Sequence, residues 1–336
     1  MKKIDMFSHF LFPKLLNFIE DKTGHDHEFS RLFANNRPLF DPEARIKLMD
    51  DNNVDISVLV PQPEIGIIPE IKNNPSICAE AVRIGNNEMA KLIQKYPNRF
   101  AGVAMIPTIN ADIMVSELER SVKELKLVGG VIGAGSSLKS LDHPDFDKLF
   151  AKASELDVPI WIHPARPSNL PDYLDEECGS KYQYFQAFGW LSDSTLAMHR
   201  IIFSGVFDRY PNLRIIIHHH GALIPYFAGR IDIGVELFEA NAGIKCNTPI
   251  SPPYLDHYKK FYIDTATQYY NPDSLEIAVK FFGVDRVFFG SDAPMDKKGG
   301  DDMIKNAFKS VEALKISDKQ REQIYFKNAK ALLKLD

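Results

Sequence analysis

Ile160-Trp161-Ile162-His163-Pro164 is an apolar run of strand length that ends on a metal-ligating side chain. Three segments far from it repeat the pattern: Ile4-Asp5-Met6-Phe7-Ser8-His9, Ile215-Ile216-Ile217-His218-His219-His220-Gly221 and Val287-Phe288-Phe289-Gly290-Ser291-Asp292. No two are neighbours in sequence, so no local motif joins them. They fit together only as parallel strands of one closed sheet whose C-terminal ends converge on a single site.

The rest of the chain has the matching rhythm. Short apolar runs at Lys3–Phe7, Ile56–Val60, Phe100–Ile106, Val128–Ile132, Pro159–Ile162, Arg214–Ile217, Phe261–Asp264 and Arg286–Phe289 read as eight strands. Helical periodicity separates them at Pro42–Asn52, Ile77–Tyr96, Asp112–Leu125, Asp145–Leu156, Ser192–Arg209, Leu223–Phe238 and Pro272–Phe281. Asp41-Pro42 and Asn271-Pro272 each place a capping side chain before a first-turn proline. Alternating strands and helices in this number predict a (β/α)8 TIM barrel forming one domain over residues 1–336, closed by C-terminal helices within 301–333. An open doubly wound sheet is disfavoured, because no Gly-x-Gly-x-x-Gly follows the first strand. Irregular segments at 11–39, 166–189 and 241–257 follow the first, fifth and sixth strands, so they are expected on the C-terminal face.

Composition bounds the partners. The 336 residues are 45% hydrophobic and 25% charged, which supplies a large core. A net charge of −5 gives no reason to expect nucleic acid or an anionic membrane. Cys78, Cys178 and Cys246 form no Cys-x-x-Cys pair, and that odd, scattered count suits a reducing cytoplasm. The start, Met1-Lys2-Lys3-Ile4-Asp5, lacks the apolar stretch of a signal peptide, and no run is long enough to span a bilayer. The sequence is therefore expected to act in the cytoplasm on a small molecule.

Strand alternation then places the chemistry. It groups Asp5, Phe7 and His9 on one face, Trp161 with His163 on another, and Phe288, Gly290 and Asp292 on a third. Facing inward, His9, His163 and Asp292 meet near the barrel axis. Two imidazoles and a carboxylate with one open position suffice for a catalytic Zn²⁺, and Mn²⁺ is an alternative where more waters fill the shell. His25 and His27 form a His-x-His in a polar segment and read as solvated loop.

The chain resembles the amidohydrolase-related (amidohydrolase 2) family, in the branch containing aminocarboxymuconate semialdehyde decarboxylase and the resorcylate decarboxylases. The resemblance runs through nearly the whole sequence. It is carried by Phe40-Asp41-Pro42-Glu43-Ala44-Arg45-Ile46 with Met49-Asp50, Tyr96-Pro97-Asn98-Arg99-Phe100-Ala101-Gly102, His163-Pro164, and Gly205-Val206-Phe207-Asp208-Arg209-Tyr210-Pro211. His219 through Pro225, Arg230, and Phe289-Gly290-Ser291-Asp292-Ala293-Pro294 continue it. It implies a barrel of the metal-dependent hydrolase type, with His9, His163 and Asp292 as metal ligands and Asp292 also handling a proton. The family's catalytic histidine lies six residues before a proline, so Pro225 selects His219, and alternation then turns His218 and His220 to the other face. Phe7 departs from the pattern, since the family carries His or Glu there. Either the remaining ligands hold metal with His219 or water completing the shell, or the site has lost metal and only binds ligand.

The resemblance implies nonoxidative decarboxylation of a small aromatic or unsaturated carboxylic acid. Metal-dependent hydrolysis of an ester, lactone or amide would use the same residues, and a metal-free barrel binding a small aromatic is a third reading supported by Phe7. Arg166 and Arg37 are candidates for the substrate carboxylate, although an arginine in such loops more often makes a surface salt bridge. The aromatic stretch Tyr182-Gln183-Tyr184-Phe185-Gln186-Ala187-Phe188-Gly189-Trp190 suits a wall stacking on an unsaturated substrate, with Trp190 at its end, or helix packing and a subunit contact. The resemblance also implies a homodimer.

Overall fold

A computed structural model describes residues 1–24, 36–62, 68–135, 139–267 and 269–335. The His25 and His27 pair therefore lies outside the described residues. All ladders among the described strands are parallel. In chain order the strands are β1 (Ile4–Ser8), β2 (Ile56–Leu59), β3 (Phe100–Gly102), β4 (Ala104–Met105), β5 (Gly130–Gly133), β6 (Ile160–His163), β7 (Ile215–Ile217), β8 (Tyr262–Asp264) and β9 (Val287–Phe288). The run expected as one third strand is split at Val103. There the backbone hands its bonds from one neighbour to the other: Val103 N–H donates to the Leu59 carbonyl at 3.0 Å and Ala104 N–H to that of Gly129 at 2.9 Å. At the other seam Met6 N–H donates to the Phe289 carbonyl and Asp292 N–H to the Phe7 carbonyl, both at 2.8 Å. These bonds join β9 to β1 and close the sheet.

Apolar side chains fill both faces of the sheet, as a parallel sheet covered by helices requires. Met6, Val58, Val103, Val131, Trp161 and Phe288 belong to the barrel's inner cluster. Ile160, Ile162, Ile215 and Ile217, the alternate residues of β6 and β7, belong to the larger cluster shared with the surrounding helices. Those helices start where the side chains can stop fraying. In α1 (Pro13–Thr23) the first position is proline, and a left-handed Gly24 ends the helix. For α2 (Pro42–Asp51) the Asp41 carboxylate accepts from the N–H groups of Glu43 and Ala44, satisfying two of the helix's orphan donors.

Two sequence expectations need correction here. Residues 13–23, expected as part of an irregular insertion, form α1, which buries Leu15 and Ile19 four residues apart. The single helices expected over Ser192–Arg209 and Leu223–Phe238 are each broken. The first divides into α3 (Trp190–Phe203) and Val206–Arg209 at Gly205, whose φ of 73° only glycine adopts cheaply. The second divides into Ile224–Phe227 and α4 (Arg230–Ala242) around Ala228-Gly229.

Candidate active site

A β-bulge shapes the first wall of the site. The register of β1 against β2 slips between Asp5 and Ser8, so simple alternation does not run through the strand. The Asp5 carboxylate holds this irregular stretch: one oxygen accepts Phe7 N–H at 3.2 Å and Ser291 N–H at 3.0 Å, while the other accepts the Ser291 hydroxyl at 2.5 Å. Burial pushes the Asp5 carboxyl up to about 7 against the opposing pull of these donors and of Arg45. Arg45 is itself buried and donates to the backbone carbonyls of His9 and Pro38. The buried Asp5 carboxylate thus fixes β1 against the segment that carries Asp292, and the buried Arg45 guanidinium ties the end of β1 to Pro38.

Four imidazoles and one phenyl ring gather at the C-terminal ends of β1, β6 and β7. The Phe7 ring is fully buried and lies 4.8 Å from His9, 5.7 Å from His163 and 5.7 Å from His219, centroid to centroid. It stacks on His218 at 3.5 Å with the planes 16° apart. His9 and His163 are 5.2 Å apart. Trp190 flanks His163 at 6.4 Å, and its indole N–H donates to the Arg166 carbonyl at 3.0 Å. The structure therefore brings together Phe7, His9, His163, His219, Asp292 and Trp190.

The imidazoles share one orientation rule. Nδ1 of His9 meets the Val60 carbonyl at 2.8 Å, that of His163 the Pro164 carbonyl at 2.6 Å, and that of His219 the Ala266 carbonyl at 3.1 Å. A carbonyl can only accept, so each Nδ1 carries a proton, and in a neutral ring Nε2 is then the nitrogen with the lone pair. His9 Nε2 then faces Asp292 Oδ1 at 3.0 Å. At that distance a proton or a cation lies between the nitrogen and the carboxylate oxygen. Burial, reinforced by the neighbouring imidazoles, holds His163 and His218 well below the ordinary histidine value, with Asp292 opposing. Both are neutral lone-pair donors near pH 7.

The donor chemistry therefore suits a divalent ion. Their placement is less complete: among the described residues, no group of three or more His, Cys, Asp or Glu side chains is arranged to hold a metal ion. Phe7 contributes no lone pair at the centre of the cluster. Both His219 and Asp292 stand in left-handed backbone, at φ 60° and 63°, which costs a residue with a Cβ about 1–2 kcal/mol. The strain is held by Asp264 Oδ1, which accepts His219 N–H at 3.1 Å, and by the Phe7 carbonyl on Asp292 N–H. Such strain clusters at functional positions.

Three expectations fare differently. His218 does not turn away from the site. Beyond Ile217 the chain leaves the strand, and His219, His220, Gly221 and Ala222 all adopt positive φ, so strand alternation has no meaning there. His220 alone is removed, with Nδ1 on the Ser274 hydroxyl and Nε2 on the Thr265 carbonyl. Arg37 is exposed and paired with Asp41. Arg166 donates to the Leu170 and Pro171 carbonyls and to Asp172 at 3.2 Å, but its Nε is buried without a partner. Asp264, which supports His218 and His219, escaped the sequence reading. The signal was available: Tyr262-Ile263-Asp264 is another apolar run ending on a carboxylate.

The chain is similar to known proteins along its whole length. A family model described as amidohydrolase matches residues 4–335. Gamma-resorcylate decarboxylase of Rhizobium sp. (strain MTP-10005) is 28% identical over 345 residues, covering 99% of this chain and 98% of that protein. A solved 2,6-dihydroxybenzoate decarboxylase complexed with 2,6-dihydroxybenzoate matches with a TM-score of 0.81 and 26% identity, over 100% of both chains. The dihydroxybenzoic acid decarboxylase of Polaromonas sp. JS666, solved with manganese and the inhibitor 2-nitroresorcinol, has a TM-score of 0.79 and 27% identity, covering 99% of this chain and 97% of its own.

Proposed function

Because this chain belongs to the amidohydrolase family, we propose that it is a metal-dependent nonoxidative decarboxylase of a small aromatic or unsaturated carboxylic acid. The observation that carries the reading is the convergence of His9, His163, His219 and Asp292 at one end of the barrel, in a chain that is similar to decarboxylases over its whole length. His9, His163 and Asp292 would hold a divalent ion, manganese or zinc. When bound, such an ion supplies Lewis-acid polarisation and orientation of substrate oxygens.

The chain's own residues would do the rest. Asp292 delivers the proton to the carbon that loses CO₂, as general acid. His219, with Nδ1 fixed on the Ala266 carbonyl, presents a lone pair that orients a water or a substrate hydroxyl. The unpartnered Nε–H of Arg166 donates to the substrate carboxylate, and Trp190 beside His163 stacks on its unsaturated plane. Incubating the metal-loaded protein with hydroxybenzoic acids and measuring CO₂ release tests the reading.

A second reading rests on Phe7. Its ring occupies the centre of the imidazole cluster, as expected of a metal-free barrel that binds a small aromatic. Metal content after equilibration with Mn²⁺ or Zn²⁺ separates the two.

The expected assembly is a homodimer. α4 buries none of its side chains and exposes Ile233, Leu237 and Phe238, with Phe227 and Ile244 exposed at its two ends. An apolar surface of this kind marks an interaction site. Light scattering on the purified protein should give twice the monomer mass, and a monomer at micromolar concentration would contradict the dimer. No helix among the described residues is long and apolar enough to cross a membrane. The three cysteines are free, which supports a cytoplasmic location.

A further inference from the structure

The side chain at position 7 gives up a potential metal bond, and the ring stacked upon it carries an unused nitrogen. His218 Nε2 is buried and has no hydrogen-bond partner. Its other nitrogen meets Asp264 Oδ2 at 2.5 Å. The opposite oxygen of that carboxylate accepts the N–H groups of His219 and Ala266, both at 3.1 Å. Burial pushes the Asp264 carboxyl up to about 7 against the pull of these N–H donors, and with Oδ1 taken by two of them Oδ2 is the acceptor left facing His218 Nδ1. The His218 proton then belongs on Nδ1, and Nε2 is left as a bare lone pair.

A buried acceptor with nothing to accept is uncommon and calls for an explanation. A carboxylate holding one imidazole nitrogen while the other is free is the arrangement that orients a histidine toward a metal ion. The site supplies the remaining donors. His218 lies 5.7 Å from His163, ring to ring, and 6.2 Å from His219. Stacking on Phe7 at 3.5 Å fixes its plane. The same phenyl ring that donates nothing therefore serves as the platform that orients a replacement.

We propose that His218 Nε2 is a metal ligand in this chain, taking over the bond that Phe7 cannot make, with Asp264 as its positioning residue. The inference rests on the metal-dependent reading above and assigns the ligand set within it. His9, His163, His218 and Asp292 would hold the ion, which would replace the direct contact between His9 Nε2 and Asp292 Oδ1.

The test measures metal binding directly. Protein freed of metal is titrated with Co²⁺, and both affinity and the visible d–d absorption, which reports coordination number and donor type, are recorded. Wild type should bind one Co²⁺ per chain. His218→Ala should bind about 100-fold or more weakly with a changed spectrum, and Asp264→Asn about 10–100-fold more weakly, the range seen when an outer-shell partner is lost. Phe7→His combined with His218→Ala should regain most of the lost affinity, which a merely misfolded variant would not do. Wild-type affinity and spectrum in His218→Ala would overturn this inference while leaving the metal-dependent reading in place. That result, with a raised KM, would make Nε2 an acceptor for a substrate hydroxyl instead. No Co²⁺ uptake by the wild-type protein would overturn both.

Discussion

Asp292→Asn lowers kcat by about 10²–10⁴-fold, the range for loss of a positioned general acid, without unfolding the protein. Asparagine preserves the size of the side chain and its acceptor oxygen but has no proton to give at neutral pH. The backbone at Asp292 is left-handed, with φ 63°, and asparagine is among the few residues that tolerate this conformation. The 2.8 Å bond from its N–H to the Phe7 carbonyl is likewise independent of the side chain. The variant should therefore fold. Metal content measured alongside kcat separates loss of proton delivery from loss of the ion. A variant retaining full turnover would remove Asp292 from proton transfer.

The second large effect is on stability. Trp161→Ala should destabilise the protein by about 3–5 kcal/mol, the usual cost of emptying an aromatic site in a packed core. Trp161 is fully buried inside the barrel, and its indole N–H points to the Met6 carbonyl at 3.4 Å across the sheet. Its ring packs so closely over Gly129 that a Cβ there would come within 2.8 Å of Cζ3. The vacated space is enclosed by the strands and by Ala329, Leu332 and Leu333 of the C-terminal helix, so collapse around alanine is restricted. Denaturant unfolding checks this, and a loss under about 1 kcal/mol would contradict a central packing role for Trp161.

The parallel barrel was legible because its evidence is periodic. Apolar runs of strand length recur between amphipathic helices, and all eight predicted strands overlap observed ones. Phe7 was legible as an intruder only through the family resemblance, which puts His or Glu there; alternation set it on one face with Asp5 and His9. What failed depended on local breaks in that periodicity. The bulge after Asp5 and the left-handed run from His219 to Ala222 cannot be read from hydrophobic patterning. They decide which side chains face the cavity. His218 was set aside by extending β7 alternation past its end at Ile217, and the helix at Pro13–Thr23, whose Leu15, Leu16, Phe18 and Ile19 recur at three- and four-residue steps, was missed because it was taken as part of one long insertion.

The two arginines illustrate a different limit. Arg37 and Arg166 were equivalent as cations in loops, and only the structure shows one exposed on Asp41 and the other bound within its own loop with a single buried N–H left over. Hydrogen-bond partners that come from residues brought close by loop folding leave no periodic trace. The same holds for Asp5, whose buried carboxylate links β1 to the Ser291 segment, and for Arg45, which links the end of β1 to Pro38.

Evolution of CO₂ is the most direct test of the central claim. The purified protein, loaded with Mn²⁺ and checked for bound metal, is incubated with a panel of hydroxybenzoic acids that includes 2,6-dihydroxybenzoate, and headspace CO₂ is followed with loss of the acid. The account predicts one CO₂ per acid consumed for at least one member of the panel, abolished in Asp292→Asn. Metal-loaded protein that releases no CO₂ from any of them, yet forms acid from aryl esters or lactones, would contradict it and identify a hydrolase.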